Sequence, residues 1–169
     1  MERGSTALRD VAAELGASLE ALRTAPDFQR FLLRRGDEAL VVDLVRERVP
    51  QLYPEKRRMG VVLVDPPEEI FANKLCTLLS RAELRDLVDV KALEEAGYRV
   101  EDHIAAANRK DSGLTAAQLA WVLGDLELGD EAKPPGGVSV TELREYLGGL
   151  RARLARMAFP SSDQGGLSS

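Results

Sequence analysis

The sequence predicts an α+β protein, with its strands before about residue 66 and only helices after it. Three observations carry this. An imperfectly alternating run, 28–34, and a run rich in β-branched residues, 39–45, flank the turn Arg35-Gly36-Asp37-Glu38, which is the pattern of a β-hairpin. A short, fully apolar run, Val61 to Val64, reads as a further strand. From Asp65 onward, every long segment repeats its apolar residues at helical spacing.

Taken in order, Leu8, Val11, Ala12 and Leu15 predict a short amphipathic helix over 6–15, stopped by Gly16. Leu19 to Leu22 is a weak strand candidate, broken at Pro26-Asp27. After the hairpin comes a loop with Pro50, Pro54 and the basic cluster Lys56-Arg57-Arg58. Asp65-Pro66-Pro67-Glu68 then opens a helix to about Ser80, with Asp65 as its cap and Glu68 and Glu69 at the positive end of its dipole. Further helices are expected over 83–96, 101–108, 115–126 and 141–157, with Lys133 to Gly137 as a linker. The domain expectation is 1–66 for the strand-containing part, 67–158 for the helices and 159–169 for a disordered Ser/Gly-rich tail.

Formal net charge is −5, which argues against indiscriminate whole-surface binding to nucleic acid and leaves room for a local basic cleft. No stretch reaches the ~18 apolar residues of a membrane span, and the first residues lack the apolar core of a signal peptide. The single cysteine, Cys76, rules out an internal disulfide and reads as a small buried hydrophobe. One histidine, His103, with one cysteine cannot make a zinc site, and His103 has no obvious partner. A reducing cytoplasm is the expected compartment.

Three places could carry chemistry. Asp43 sits mid-strand, sharing one face with Val41 and Val45. A carboxylate there must meet a cation, a metal or solvent. It is either the wet face of an edge strand or a ligand aimed into a cleft, able to hold Mg²⁺ or activate a hydroxyl. Lys74 falls inside the apolar stripe Ile70, Phe71, Leu75, Leu78, where a lysine either snorkels to water or points along a cleft wall towards a phosphate. Asp86 and Asp89 are three apart and share a helix face, so they need a cation between them. Arg81, Arg85 or Lys74 could supply it, and an Arg–Asp network tying two consecutive helices would account for all of them.

These pieces occur in a familiar order. Val42-Asp43-Leu44, a short strand, then Glu68 through Arg81 with Lys74-Leu75 inside it, then Arg85-Asp86-Leu87-Val88-Asp89-Val90, resembles the nucleotidyl transferase AbiEii/AbiGii toxin family. The stretch Ala106 to Leu114 is similar to that family's helical tail. The resemblance covers about residues 28–125. It implies a polymerase-β-type nucleotidyltransferase fold, here a partial mixed sheet followed by a helical bundle, with 1–66 as what remains of the α/β core. It also implies transfer of a nucleotide from an NTP to an RNA such as tRNA with Mg²⁺, in a toxin–antitoxin or phage-defence setting with a cognate antitoxin. Asp43 falls on the third, metal-binding carboxylate. Lys74 falls on the lysine proposed to touch the nucleotide phosphates, with Arg81 and Arg85 beside it as nucleotide-binding cations. Asp86 and Asp89 fall on the last acidic motif, Asp86 among the catalytic set.

The departure lies upstream. No Asp-x-Asp precedes Asp43, and Gly4-Ser5-Thr6 is followed by no such pair. Two-metal chemistry needs several carboxylates to fix its ions. The expectation is therefore an N-terminally truncated member with impaired activity. The alternatives are a catalytically inactive member acting as a protein- or RNA-binding module, and a small α+β interaction domain whose open sheet favours association.

Overall fold

The computed structural model describes residues 2–46 and 48–160. It divides between Val49 and Pro50 into two compact units. This break precedes the switch from strands to helices near residue 66, so the last two strands belong with the helices. Of the tail expected over 159–169, residues 161–169 lie outside the described residues.

The first unit holds α1 (Glu2–Glu14), β1 (Ser18–Ala25), β2 (Phe28–Arg35) and β3 (Glu38–Val45). The strands form an antiparallel sheet in the order β1-β2-β3. Gly36, at φ 57°, supplies the left-handed residue of the β2–β3 turn. The pairing sets Phe31 opposite Val42 and Arg30 opposite Asp43. Gly4 of α1 lies against Leu44, where a β-carbon would stand 3.3 Å from the leucine methyl. Leu44 therefore faces the helix, and alternation turns Asp43 to the opposite face of the sheet. β1 is twice as long as its weak sequence signal. Its register shifts between Ala21 and Arg23, and this bulge at Leu22 breaks the two-residue period that would have revealed it.

The second unit opens with a two-stranded antiparallel hairpin, β4 (Arg57–Met59) and β5 (Val62–Val64). Two residues of the basic cluster expected in a loop, Arg57 and Arg58, are thus in a strand. The helices follow: α2 (Pro67–Arg81), α3 (Leu84–Glu95), α4 (Val100–Lys110), α5 (Ala116–Gly124) and α6 (Val140–Ala158). Side chains from all five build one core, with Phe71, Leu75, Leu78, Leu87, Leu123 and Leu150 among its buried members. Thr115 and Ser139 cap α5 and α6 by accepting from the Gln118 and Glu142 amides.

The cap of α2 differs from expectation. Pro66 occupies the N-cap position with no side-chain cap. The Asp65 carboxylate instead accepts from Gln51 Nε2 at 2.7 Å and pairs with Lys56 Nζ at 2.8 Å. Two further polar features went unread in the sequence. Lys110 on α4 and Glu69 on α2 form a buried ion pair. Glu69 Oε2 also accepts the backbone N–H of Leu52 and Tyr53, each at 3.0 Å, and Lys110 donates to the Pro50 carbonyl at 2.9 Å. This pair grips the chain at 50–53. His103 has partners after all. Its ring lies 4.8 Å from Phe71 and 5.8 Å from Tyr98, and its Nδ1–H donates to the Arg99 carbonyl at 2.8 Å.

Candidate functional site

The centre of the candidate site is the corner between α2 and α3. Helix α2 ends on Ala82, which adopts φ 45°, ψ 44° and is the only non-glycine of positive φ among the described residues. That left-handed residue turns the chain sharply enough for Asp86, in the first turn of α3, to reach back to α2. The Asp86 side chain is 0% exposed. It receives Arg81 Nε at 2.8 Å and a second guanidinium nitrogen at 3.2 Å. Lys74 Nζ, two turns earlier on α2, donates to the same carboxylate at 3.2 Å. Lys74 also pairs with Asp89 at 2.5 Å. The lysine is therefore fixed between the two acids of α3, with 27% of its side chain exposed against 45% for Asp89.

The electrostatics follow from this geometry. Burial pushes the Asp86 carboxyl up, but the hydrogen bonds from Arg81 and Lys74 outweigh it and the net shift is downward. Burial likewise disfavours the Lys74 ammonium, and its bonds to Asp89 and Asp86 outweigh that, raising its pKa. Both groups are charged at neutral pH. Lys74, Arg81, Asp86 and Asp89 together sum to zero charge. Arg85 stands apart from them and pairs with Glu83 at 2.8 Å. Of the cations offered for the gap between Asp86 and Asp89, Lys74 fills it and Arg81 braces Asp86 from the other side.

Asp43 belongs to the first unit and has its own partner there. Arg30, opposite in the register, donates Nε and a second nitrogen to the two carboxylate oxygens, both at 2.8 Å. Those bonds hold the Asp43 carboxyl below its ordinary range. The Arg30 guanidinium also lies 5.5 Å from the centre of the Phe28 ring, with Arg23 at 5.8 Å from the same ring.

The fit of these residues to Mg²⁺ can be judged from the ligands. A divalent ion of this kind takes oxygen ligands, and two-metal sites need several convergent carboxylates. Among the described residues, no three His, Cys, Asp or Glu side chains come together to hold an ion. Both oxygens of Asp43 face arginine nitrogens. The residues present do not fit a metal centre.

Cys76 is half-buried on α2, its thiol 3.6 Å from the Ala107 carbonyl, and burial raises its pKa. It packs as a small hydrophobe. No helix among the described residues is long and apolar enough to cross a membrane.

Comparison with known proteins bears directly on this corner. The sequence matches the family described as "Nucleotidyl transferase AbiEii toxin, Type IV TA system" over residues 13–154. The chain belongs to the AbiEii nucleotidyltransferase toxin family. The match spans β1 to most of α6 and includes the whole Lys74–Asp89 segment. Neither the curated proteins nor the solved structures returned a match. Membership accounts for the α+β architecture and places the chain among toxins of toxin–antitoxin systems.

Proposed function

We propose that this AbiEii-family chain transfers a nucleotide from an NTP to an RNA acceptor such as tRNA, with activity impaired by the absence of an Asp-x-Asp ahead of Asp43. A cognate antitoxin would neutralise it. The observation that supports a nucleotide site is the fixed ammonium of Lys74. Asp86 is buried and braced by Arg81, so it anchors the lysine; Asp89 is open to water and can move aside. An incoming triphosphate takes the place of Asp89 on Lys74, and Arg81 adds a second positive charge alongside. In this reading Lys74 binds phosphate, Asp86 positions Lys74 and Arg81, and Asp89 holds the lysine until substrate arrives.

The test is direct. Purified protein is incubated with Mg²⁺, tRNA and each labelled nucleoside triphosphate in turn. Label on tRNA, lost in Lys74→Ala, supports the proposal. Nucleotide binding separates the two acids: Asp89→Asn tightens it by freeing Lys74, whereas Asp86→Asn weakens it by releasing both cations. Equal effects from the two substitutions would refute these roles.

One observation favours a second reading, an inactive member acting as a protein- or RNA-binding module. Arg30 engages both oxygens of Asp43, the carboxylate that the family resemblance assigns to metal. If all four nucleotides leave tRNA unlabelled, and Asp43→Ala leaves the cellular phenotype unchanged, this reading replaces the first.

A further inference from the structure

The β4–β5 hairpin divides its contacts unevenly between base and tip. Its base is tied down: Lys56 and Gln51 hold Asp65, and just upstream the buried Glu69–Lys110 pair grips the backbone of Pro50, Leu52 and Tyr53. Its tip touches little. Residues 54–63 are exposed without interruption. Four of them are large apolar side chains, Met59, Val61, Val62 and Leu63, and Val61 is 95% exposed. A two-stranded hairpin alone is marginal in water. An anchored one that shows its apolar residues to solvent is built to be covered.

The charge on the hairpin says by what. The side chains of Arg57 and Arg58 make no ion pair or hydrogen bond among the described residues, although most cations of this unit are paired, among them Lys56, Lys74, Arg81, Lys91 and Lys110. Glu55 is the one acid within 54–63. The register pairs Arg57 with Val64, Arg58 with Leu63 and Met59 with Val62. Alternation therefore puts Arg57 on one face with Met59 and Val62, and Arg58 on the other with Leu63. Each face carries one free guanidinium beside apolar atoms. A hairpin laid flat on a partner would need one such face. Two equivalent faces suit an element that enters a cleft with anionic walls, the guanidinia meeting phosphates while the apolar tip meets unstacked bases.

We infer that the β4–β5 hairpin is an RNA-docking finger, with Arg57 and Arg58 contacting the acceptor's backbone on its two sides. The inference rests on the RNA-acceptor reading above, and it names where the acceptor is held.

Binding measured apart from transfer tests it. Fluorescent tRNA and a stem-loop RNA are titrated with the full chain, with Arg57→Glu/Arg58→Glu, and with the charge-matched control Arg109→Glu/Arg156→Glu, whose arginines are also exposed and unpaired. Neither hairpin arginine side chain makes an ion pair or hydrogen bond among the described residues, and the control arginines make none either, so both variants should keep the wild-type circular dichroism and melting temperature. The hairpin variant is expected to bind at least ~10-fold more weakly. The slope of log affinity against log salt should shrink by about 1.5, as expected for two lost phosphate contacts. The control should stay within about twofold of wild type. Wild-type binding that the hairpin variant matches would overturn the finger and leave the acceptor reading standing. Labelled tRNA in the transfer assay, with no dependence on the hairpin arginines, would do the same. Loss of affinity for polyglutamate but for neither RNA would overturn RNA as the partner in favour of an acidic protein.

Discussion

Of the three carboxylates singled out by the family resemblance, Asp43 and Asp86 both end up bound by an arginine, yet in opposite settings. Arg30 and Asp43 face each other across two strands with water on both. Arg81 and Asp86 meet at a helix corner where the acid has no water at all and a second cation, Lys74, is drawn in. The chemistry is the same and the consequences differ, because solvent screens the first pair and the protein must satisfy the second. A carboxylate in water can exchange partners freely. One that is buried fixes whatever it holds, so a positioned cation can be built at the corner and not on the sheet.

The sharpest way to break this comparison is with the most enclosed pair of all. Glu69→Ala leaves the buried Lys110 charge uncompensated and should destabilise the chain by about 3–5 kcal/mol in urea denaturation. The apolar replacement Glu69→Leu/Lys110→Met should recover most of that stability. Amide exchange at Leu52 and Tyr53 should nonetheless speed up, because their acceptor is gone. If exchange is unchanged, the pair does not hold that segment. Next comes Asp86→Ala, expected to cost about 2–4 kcal/mol, less than a fully enclosed pair because Lys74 and Arg81 keep some contact with water.

Acid should reproduce these losses in milder form. For Glu69, burial raises the pKa, but the Lys110 bond and the Tyr53 and Leu52 amides lower it by more. Asp86 is lowered as well. Folded chains therefore bind fewer protons than unfolded ones just below the ordinary values of 4.5 and 3.8. Stability from both groups is complete above those values and is lost as pH falls through the lowered ones. Melting temperature should be flat from neutrality to about pH 5 and then drop. The drop should be shallower in Asp86→Asn. The smallest effect belongs to the sheet. Asp43→Asn should melt with the wild type at physiological salt, since exposed pairs of this kind add little. A clear loss of stability there would mean that Asp43 is less solvated than its geometry indicates.

Much of this was legible in the sequence, and the limits have physical causes. The β2–β3 hairpin and all five helices of the second unit announced themselves through periodicity. The Arg–Asp network at the α2–α3 corner was readable because its members lie five and twelve residues apart. The Glu69–Lys110 pair was not, because its partners are 41 residues apart and no local pattern relates them. For His103 the ring contact with Phe71 was hidden for the same reason, the two lying on different helices. β4 was hidden because Lys56-Arg57-Arg58 has the composition of a loop, and only pairing with β5 makes it a strand. Asp65 looked like a helix cap by position, but Lys56 and Gln51 compete for its carboxylate.

Ala82 has a consequence for how the corner assembles. All the groups that hold Lys74 lie within residues 74–89, and the left-handed bend at Ala82 is what closes them on one another. Contacts so near in sequence need little loop closure, so the corner can form early, ahead of the long-range contact between Glu69 and Lys110. A cassette of that length carries its own hinge and its own counter-ions.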